Sequence, residues 1–260
     1  MSDERVTVTV DGGIADVRLS RPDKLNAIDA AMFSALSEAS AAVAAAPGVR
    51  AVVLSGAGRA FCAGLDLASL AAAPPRAIGD RTHGIANRWQ HAVWGWRELP
   101  VPVIAAVHGV AYGGGLQVAL AADVRLVAPD ARLAVMEARW GLVPDMAGIA
   151  LLRGLVRDDV ARELTYTART VSGTEAVALG LATRAAADPY AAAMELAAQV
   201  AAASPRAVRA AKRLFGLAQD AGAAGILLAE SREQEALMSG PDIAETVTAH
   251  AEGRPPRFTD

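Results

Sequence analysis

Two carboxylates and two glycine-rich segments are the parts of this chain whose types and spacing suit chemistry. Glu137 and Asp145 lie eight residues apart, each a carboxylate of the type that acid–base chemistry uses. The segments Gly56-Ala57-Gly58-Arg59-Ala60-Phe61-Cys62-Ala63-Gly64-Leu65-Asp66 and Gly109-Val110-Ala111-Tyr112-Gly113-Gly114-Gly115 each follow an apolar run. Three consecutive glycines ahead of a helix leave backbone N–H groups unobstructed, which suits a carbonyl oxygen acquiring negative charge. The same glycines equally serve a tight strand-to-helix turn. Glu137 taken alone also reads as a solvated strand-end residue, and Asp145 as a cap for a helix near Gly148. Neither segment has the spacing of a phosphate loop or of a dinucleotide fingerprint.

Other reactive side chains are sparse. Cys62 is the single cysteine, so it has no internal disulfide partner and no second thiol for a cysteine-based zinc site. No metal site is expected. His83 and His91 fall in a variable stretch, and His108 in the Val107-His108-Gly109 turn is read as satisfying a local hydrogen bond. Trp89, Trp94 and Trp96 share a helical stretch and are read as core packing, whereas Trp140 lies between the two acids.

The elements that must hold these groups follow from patterning. Val6 to Val10 and Ala15 to Leu19 alternate across Asp11-Gly12-Gly13 and predict a hairpin. Asp29 caps a helix running to Ala46, closed by Pro47-Gly48, and Val49 to Ser55 is a buried strand. A helix through Trp89 to Glu98, strands Val103 to Val107 and Val124 to Val127, and a helix Leu116 to Ala122 complete an α/β half. From about Leu151 the pattern turns helical: Asp158 to Tyr166, Thr174 to Leu179, Pro189 to Ala203, Pro205 to Gln219 and Ala223 to Met238. Ser172 and Glu175 have the spacing of a capping box. The division expected is a core over 1–200 and a helical oligomerisation region over 201–260.

With 25 basic and 28 acidic residues the formal net charge is -3, and no basic block exists to grip nucleic acid or an anionic membrane. The chain is 53% hydrophobic but only 4% aromatic, a composition carried by Ala and Val that suits closely packed helices. No apolar run approaches the roughly 20 residues of a membrane span, and the polar start Met1-Ser2-Asp3-Glu4-Arg5 does not resemble a signal peptide. A cytoplasmic protein without nucleic-acid or membrane partners is expected.

The ordered motifs go further. Arg21-Pro22-Asp23-Lys24-Leu25-Asn26-Ala27, then Ala60 to Leu67, then Pro102-Val103-Ile104-Ala105-Ala106-Val107-His108-Gly109 with Gly113-Gly114-Gly115, then Glu137 and Gly141-Leu142-Val143-Pro144-Asp145, and finally Ala176 to Gly180-Leu181 follow in an order and spacing that resembles the crotonase, or enoyl-CoA hydratase/isomerase, superfamily. The resemblance runs over most of the chain. It implies an α/β spiral of repeated ββα units with a helical C-terminal trimerisation region, assembled as a homotrimer or a dimer of trimers. It implies an acyl-CoA substrate and no cofactor beyond the coenzyme A that is part of that substrate.

By position, the amides of Leu65 and Gly114 match the family's pair of oxyanion donors. The CoA moiety would be held through Lys24 and Leu25 and through the backbone of Ala60, Cys62, Ala63, Gly64 and Asp66, with Ala63 against the adenine. In some members a basic residue near the C-terminus reaches a neighbour's CoA; Arg254 and Arg257 lie in that region but do not align with it. Hydratases of the family place two glutamates around a water. Here Glu137 matches the second, while the first position is Gln117, whose amide can hydrogen-bond a water or substrate but cannot accept a proton. Dienoyl-CoA isomerases carry an acidic pair at the Glu137/Asp145 spacing, although with a further Asp where this chain has Gln117. Double-bond isomerisation is therefore favoured, with Trp140 shaping the acyl pocket. The alternatives are 2-enoyl-CoA hydration as in fatty acid β-oxidation, thioester hydrolysis or dehalogenation through Asp145, and acyl-CoA binding without catalysis.

Overall fold

A computed structural model describes residues 4–71 and 78–260. The chain opens with strands β1 (Val6–Asp11) and β2 (Ile14–Leu19), paired antiparallel across the Gly12-Gly13 turn as the alternation predicts. Helix α1 (Ala30–Ala45) begins at Asp29, whose Oδ1 accepts the amide of Met32 at 2.8 Å. Strand β3 (Ala51–Gly56), helices α2 (Leu67–Ala71) and α3 (Arg88–Arg97), strands β4 (Val103–Val107) and β5 (Val110–Tyr112) and helix α4 (Gly114–Leu120) follow. Next come β6 (Val124–Val127), β7 (Arg132–Ala134), α5 (Gly148–Leu152), α6 (Asp158–Thr167), β8 (Val171–Ser172), α7 (Gly173–Ala178) and β9 (Arg184–Ala185). Helices α8 (Pro189–Ala202), α9 (Pro205–Leu217), α10 (Ala223–Met238) and α11 (Pro241–Ala251) complete the chain.

The strands form two sheets, a six-stranded one in the order β1-β2-β3-β4-β6-β9 and a three-stranded one in the order β5-β7-β8. Single parallel bridges, Cys62 to Ala111 and Ile28 to Leu65, extend the smaller sheet's layer back towards the N-terminus. Successive turns of chain thus pass through the large sheet, cross to the small layer and return by helix, which is the expected ββα spiral. β4 and the first four residues of β3 are apolar because both faces are covered. The inner face packs on Phe61, Trp96, Leu116 and helices α1 and α3. The outer face, with Ala51, Val53, Ile104, Ala106 and Leu126, is covered by Ala193 and Ala197 of α8.

Two local expectations are corrected. Ser172 does accept the Glu175 amide at 3.1 Å, but the Glu175 carboxylate turns to Arg169, so only half of the capping box forms. The complete box stands at α3, where Asn87 Oδ1 accepts the amides of Trp89 and Gln90 and Gln90 Oε1 accepts the Asn87 amide. Asp145 caps nothing: α5 starts after Ala147 with no side-chain cap. Among the described residues no helix is long and apolar enough to cross a membrane.

Candidate active site

The site is assembled by backbone ladders on both sides of the 56–66 loop. On one side Phe61 N donates to His108 O, Cys62 N to Val110 O, and Tyr112 N to Cys62 O, at 2.9–3.0 Å. On the other, Ala63 N donates to Leu25 O, Ile28 N to Gly64 O and Asp66 N to Ile28 O, at 2.8–2.9 Å. This clamping presses Gly64 onto the second glycine loop. Gly64 has φ +89, and a Cβ there would lie 2.5 Å from Tyr112 O and 3.6 Å from Gly114 N, so only glycine fits. The amides of Leu65 and Gly114, the latter at the first position of α4, have no hydrogen-bond acceptor among the described residues. The two bends that carry these unused donors thus pack against one another.

Glu137 begins a 3₁₀ turn, Glu137–Trp140, and is 6% exposed. Gln117, on the inner side of α4, donates from Nε2 to Glu137 Oε1 at 2.6 Å and accepts at Oε1 from the amides of Met146 and Gly148, both at 2.9 Å. Glu137 Oε2 is buried with no hydrogen-bond partner. A Cβ on Gly113 would sit 3.2 Å from Glu137 Oε1, which places this carboxylate directly beside the donor loop. Burial raises the Glu137 pKa above the ordinary glutamate value, the bond from Gln117 pulls partly against it, and the charge of Asp145 adds to the rise.

These groups meet in a pocket of about 220 Å³. Of the residues expected from sequence, Ala63, Gly64, Leu65, Gly114, Glu137 and Trp140 line it. Asp145 does not, which corrects the expectation of two acids on the walls: it stands on the exposed side of the 141–145 loop. Although the residue as a whole is exposed, its carboxyl is partly desolvated and its pKa raised. Gln117 stands behind Glu137, engaged at both ends of its amide.

The remaining expected binding residues serve the loop framework. Cys62 is fully buried, its thiol donates to Asn26 O at 3.0 Å, and burial pushes its pKa up to about 12. Ala60 is buried with its carbonyl accepting from Asn26. Asp66 accepts from Arg21 at 2.7 Å, which holds its carboxyl below the usual range, and it caps α2 through the amides of Ala68 and Ser69. Leu25, in the left-handed region at φ 51, is half-buried and supplies the carbonyl for Ala63. Lys24 is exposed at the end of a 3₁₀ turn.

Three residues at the site were not singled out from sequence. Asn26, fully buried, donates from Nδ2 to the carbonyls of Ala57, Ala60 and Phe61 and accepts the Arg21 amide, knitting the donor loop to the 21–27 segment. Its left-handed φ of 56, a conformation that asparagine tolerates, is visible only in the structure. Met146 packs its sulfur over Gly114, and Tyr112 forms part of the pocket wall. His108 bonds Gly58 O at 2.9 Å as expected. His83 and His91 stack on one another at 4.2 Å and do not line the pocket. Trp96 is fully buried, Trp89 meets Phe33 edge-on, and Trp94 donates to Glu98. Arg254 is bonded to Glu245 and Glu252 of its own chain.

The family model described as enoyl-CoA hydratase/isomerase matches residues 9–260. A Mycobacterium tuberculosis protein named a probable enoyl-CoA hydratase is 38% identical over 207 residues, covering 80% of this chain and 79% of its own. Human mitochondrial Δ(3,5)-Δ(2,4)-dienoyl-CoA isomerase is 31% identical over 252 residues, 93% of this chain and 77% of its own. The crystal structure of an enoyl-CoA hydratase from Bacillus anthracis superposes with a TM-score of 0.90 at 28% identity, covering 98% of both chains. The fold is that of the crotonases, and the chain belongs to the enoyl-CoA hydratase/isomerase family of enzymes.

Proposed function

We propose that this enzyme moves a carbon–carbon double bond along the acyl chain of an enoyl-CoA thioester, with Glu137 as the only carboxylate acting on the substrate. The thioester carbonyl oxygen accepts from the amides of Leu65 and Gly114. Glu137 takes a proton from C2 of a 3-enoyl thioester, the electrons pass into a dienolate whose oxyanion the two amides stabilise, and the same carboxyl returns the proton to C4 to give the 2-enoyl product. No electrons enter or leave, and coenzyme A serves only as part of the substrate.

One observation carries the reading: among the described residues lining the pocket the one carboxylate, Glu137, is buried and partly unbonded, and the side chain bonded to it, Gln117, is an amide that cannot take a proton from water. The raised pKa of Glu137 makes it a stronger base than an ordinary glutamate, which suits a group that must take up a proton and give it back. The names of the relatives favour a second reading, hydration of 2-enoyl-CoA. Turnover of 3-enoyl-, 3,5-dienoyl- and 2-enoyl-CoA separates the two. The proposal expects isomerisation of a 3-enoyl substrate that Glu137→Gln abolishes, and turnover of 2-enoyl-CoA alone would overturn it. The expected homotrimer or dimer of trimers belongs to the same proposal. α10 has no buried residue and leaves Leu227 and Leu228 exposed, and light scattering on the purified protein measures the assembly.

A further inference from the structure

The Gln117 amide is fixed by what it faces. Its Oε1 receives two backbone N–H groups, from Met146 and Gly148, and only an oxygen can accept them, so the NH₂ end must point at Glu137. The fit is tight, because a Cβ on Gly148 would lie 2.6 Å from Gln117 Oε1. An NH₂ group donates and never accepts, so Glu137 Oε1 is held as an acceptor in every protonation state. Oε2, buried and without a partner, is left as the oxygen that can carry a proton.

We propose that Gln117 is a positioning residue that makes Glu137 a one-sided base, with its proton taken up and released at Oε2 alone, and that it contacts neither substrate nor water. This departs from the binding role expected from sequence and rests on the reading of Glu137 as the acid–base group. The same bonds tie the start of α5 to α4, and with it Met146, whose sulfur packs on Gly114; one side chain therefore sets both the base and a wall of the oxyanion site. A glutamate at this position would accept the two backbone amides with one oxygen and turn its other oxygen on Glu137. Two carboxylate oxygens at that separation must share a proton or admit a water between them. Glutamine removes that requirement, which is what a single-base proton shuttle needs.

The test compares wild type with Gln117→Met and Gln117→Glu, using steady-state kinetics on 3-enoyl-CoA and a ¹³C-carboxyl NMR titration in which the Glu137 signal is assigned by its loss in Glu137→Gln. Gln117→Met is expected to lower kcat about 10- to 100-fold, the loss of a hydrogen bond to a charged group, with KM unchanged and Glu137 titrating at higher pH. Gln117→Glu keeps the acceptor for Met146 and Gly148, which guards against a folding defect, and is expected to titrate jointly with Glu137 and to gain hydration of 2-enoyl-CoA. A raised KM at unchanged kcat, or a Glu137 titration that is the same in all three proteins, would overturn the proposal. If the wild type does not isomerise 3-enoyl-CoA, the functional reading fails, and the titration still decides the role of Gln117.

Discussion

The pocket at Glu137 and a second polar cluster at Asp123 are both set into an apolar core, and they are satisfied in opposite ways. Asp123 lines a larger cleft of about 470 Å³ between α3, α5 and α9, where its carboxylate receives Lys212 at 2.8 Å, Arg97 at 3.3 Å and the Val103 amide at 2.8 Å. Lys212 also donates to Val101 O. Each of these three charges meets an opposite charge, and the cluster fastens α9 to the sheet. Among the described residues Glu137 has one neutral side-chain donor, no salt-bridge partner and an orphaned oxygen. A saturated buried cluster has nothing left to offer a ligand, whereas an incomplete one is a cost to the fold that only chemistry repays. On the proposed reading the smaller pocket is the reactive one and the larger cleft is structural.

The sharpest way to break this contrast is Glu137→Gln. It is expected to lower kcat about 10²- to 10⁴-fold, the usual worth of a positioned acid–base group, and to raise thermal stability at neutral pH. The folded-state pKa of Glu137 lies above its unfolded value. The stability it contributes is therefore complete below the unfolded pKa and is lost as pH rises through the folded one. The glutamine variant has no such loss, so its melting temperature should exceed that of wild type at pH 8 and converge with it near pH 4. A variant less stable than wild type at pH 8 would mean that the carboxylate is satisfied after all.

Next in size is Gly64→Ala. The added Cβ strikes the Tyr112 carbonyl and demands a left-handed φ, forcing the two donor loops apart. Loss of one oxyanion donor costs about 10²- to 10³-fold in kcat, and backbone strain of this kind adds about 1–3 kcal/mol of destabilisation. Kinetics with a melt in parallel would separate the two effects, since Glu137→Gln moves stability in the other direction.

Asp123→Ala inverts the pattern. It strips the acceptor from Lys212 and Arg97 and should cost about 1.5–3 kcal/mol, the scale of lost hydrogen bonds to a charged group, while kcat stays unchanged wherever the protein is folded. The cleft and the pocket share no lining residue. Burial lowers the Lys212 pKa against the pull of Asp123, and without Asp123 it falls further. The variant's deficit should therefore shrink as pH rises and Lys212 becomes neutral, which urea unfolding at several pH values measures.

What the sequence disclosed follows the same division. β4 and β6 are readable to the residue because both of their faces are buried and the apolar run has no choice of register. Asp29 and the Gly12-Gly13 turn are local signals read locally. The donor loops were recognised through the ordered motifs that resemble the family, since the glycines alone equally serve a tight strand-to-helix turn. The contacts that complete the site are tertiary. Asn26 reaches three carbonyls some 31 to 35 residues away, and Gln117 joins three segments spread over 31 residues. Neither partner set leaves a trace in spacing. The position of Asp145 was missed for the same reason: its distance along the chain from Glu137 suits a pair, but the 3₁₀ turn and the left-handed Gly141 send the intervening loop outward.

The smallest expected effect falls on Asp145. Asp145→Asn keeps the shape of the side chain and removes a charge that stands off the pocket walls. Because that charge raises the Glu137 pKa, with less weight than burial or the bond from Gln117, its removal should shift the acid limb of the kcat/KM profile slightly downward in pH and change kcat by no more than about twofold, the scale of a surface substitution. A proton relay through two acids predicts instead a collapse of kcat comparable to that of Glu137→Gln. The two substitutions measured side by side on a 3,5-dienoyl substrate, the one whose proton must travel farthest, give the pair of acids its best chance to show itself. Near-equal losses there would place Asp145 at the reacting chain and dissolve the distinction between a pocket with one acid and a surface loop that merely tunes it.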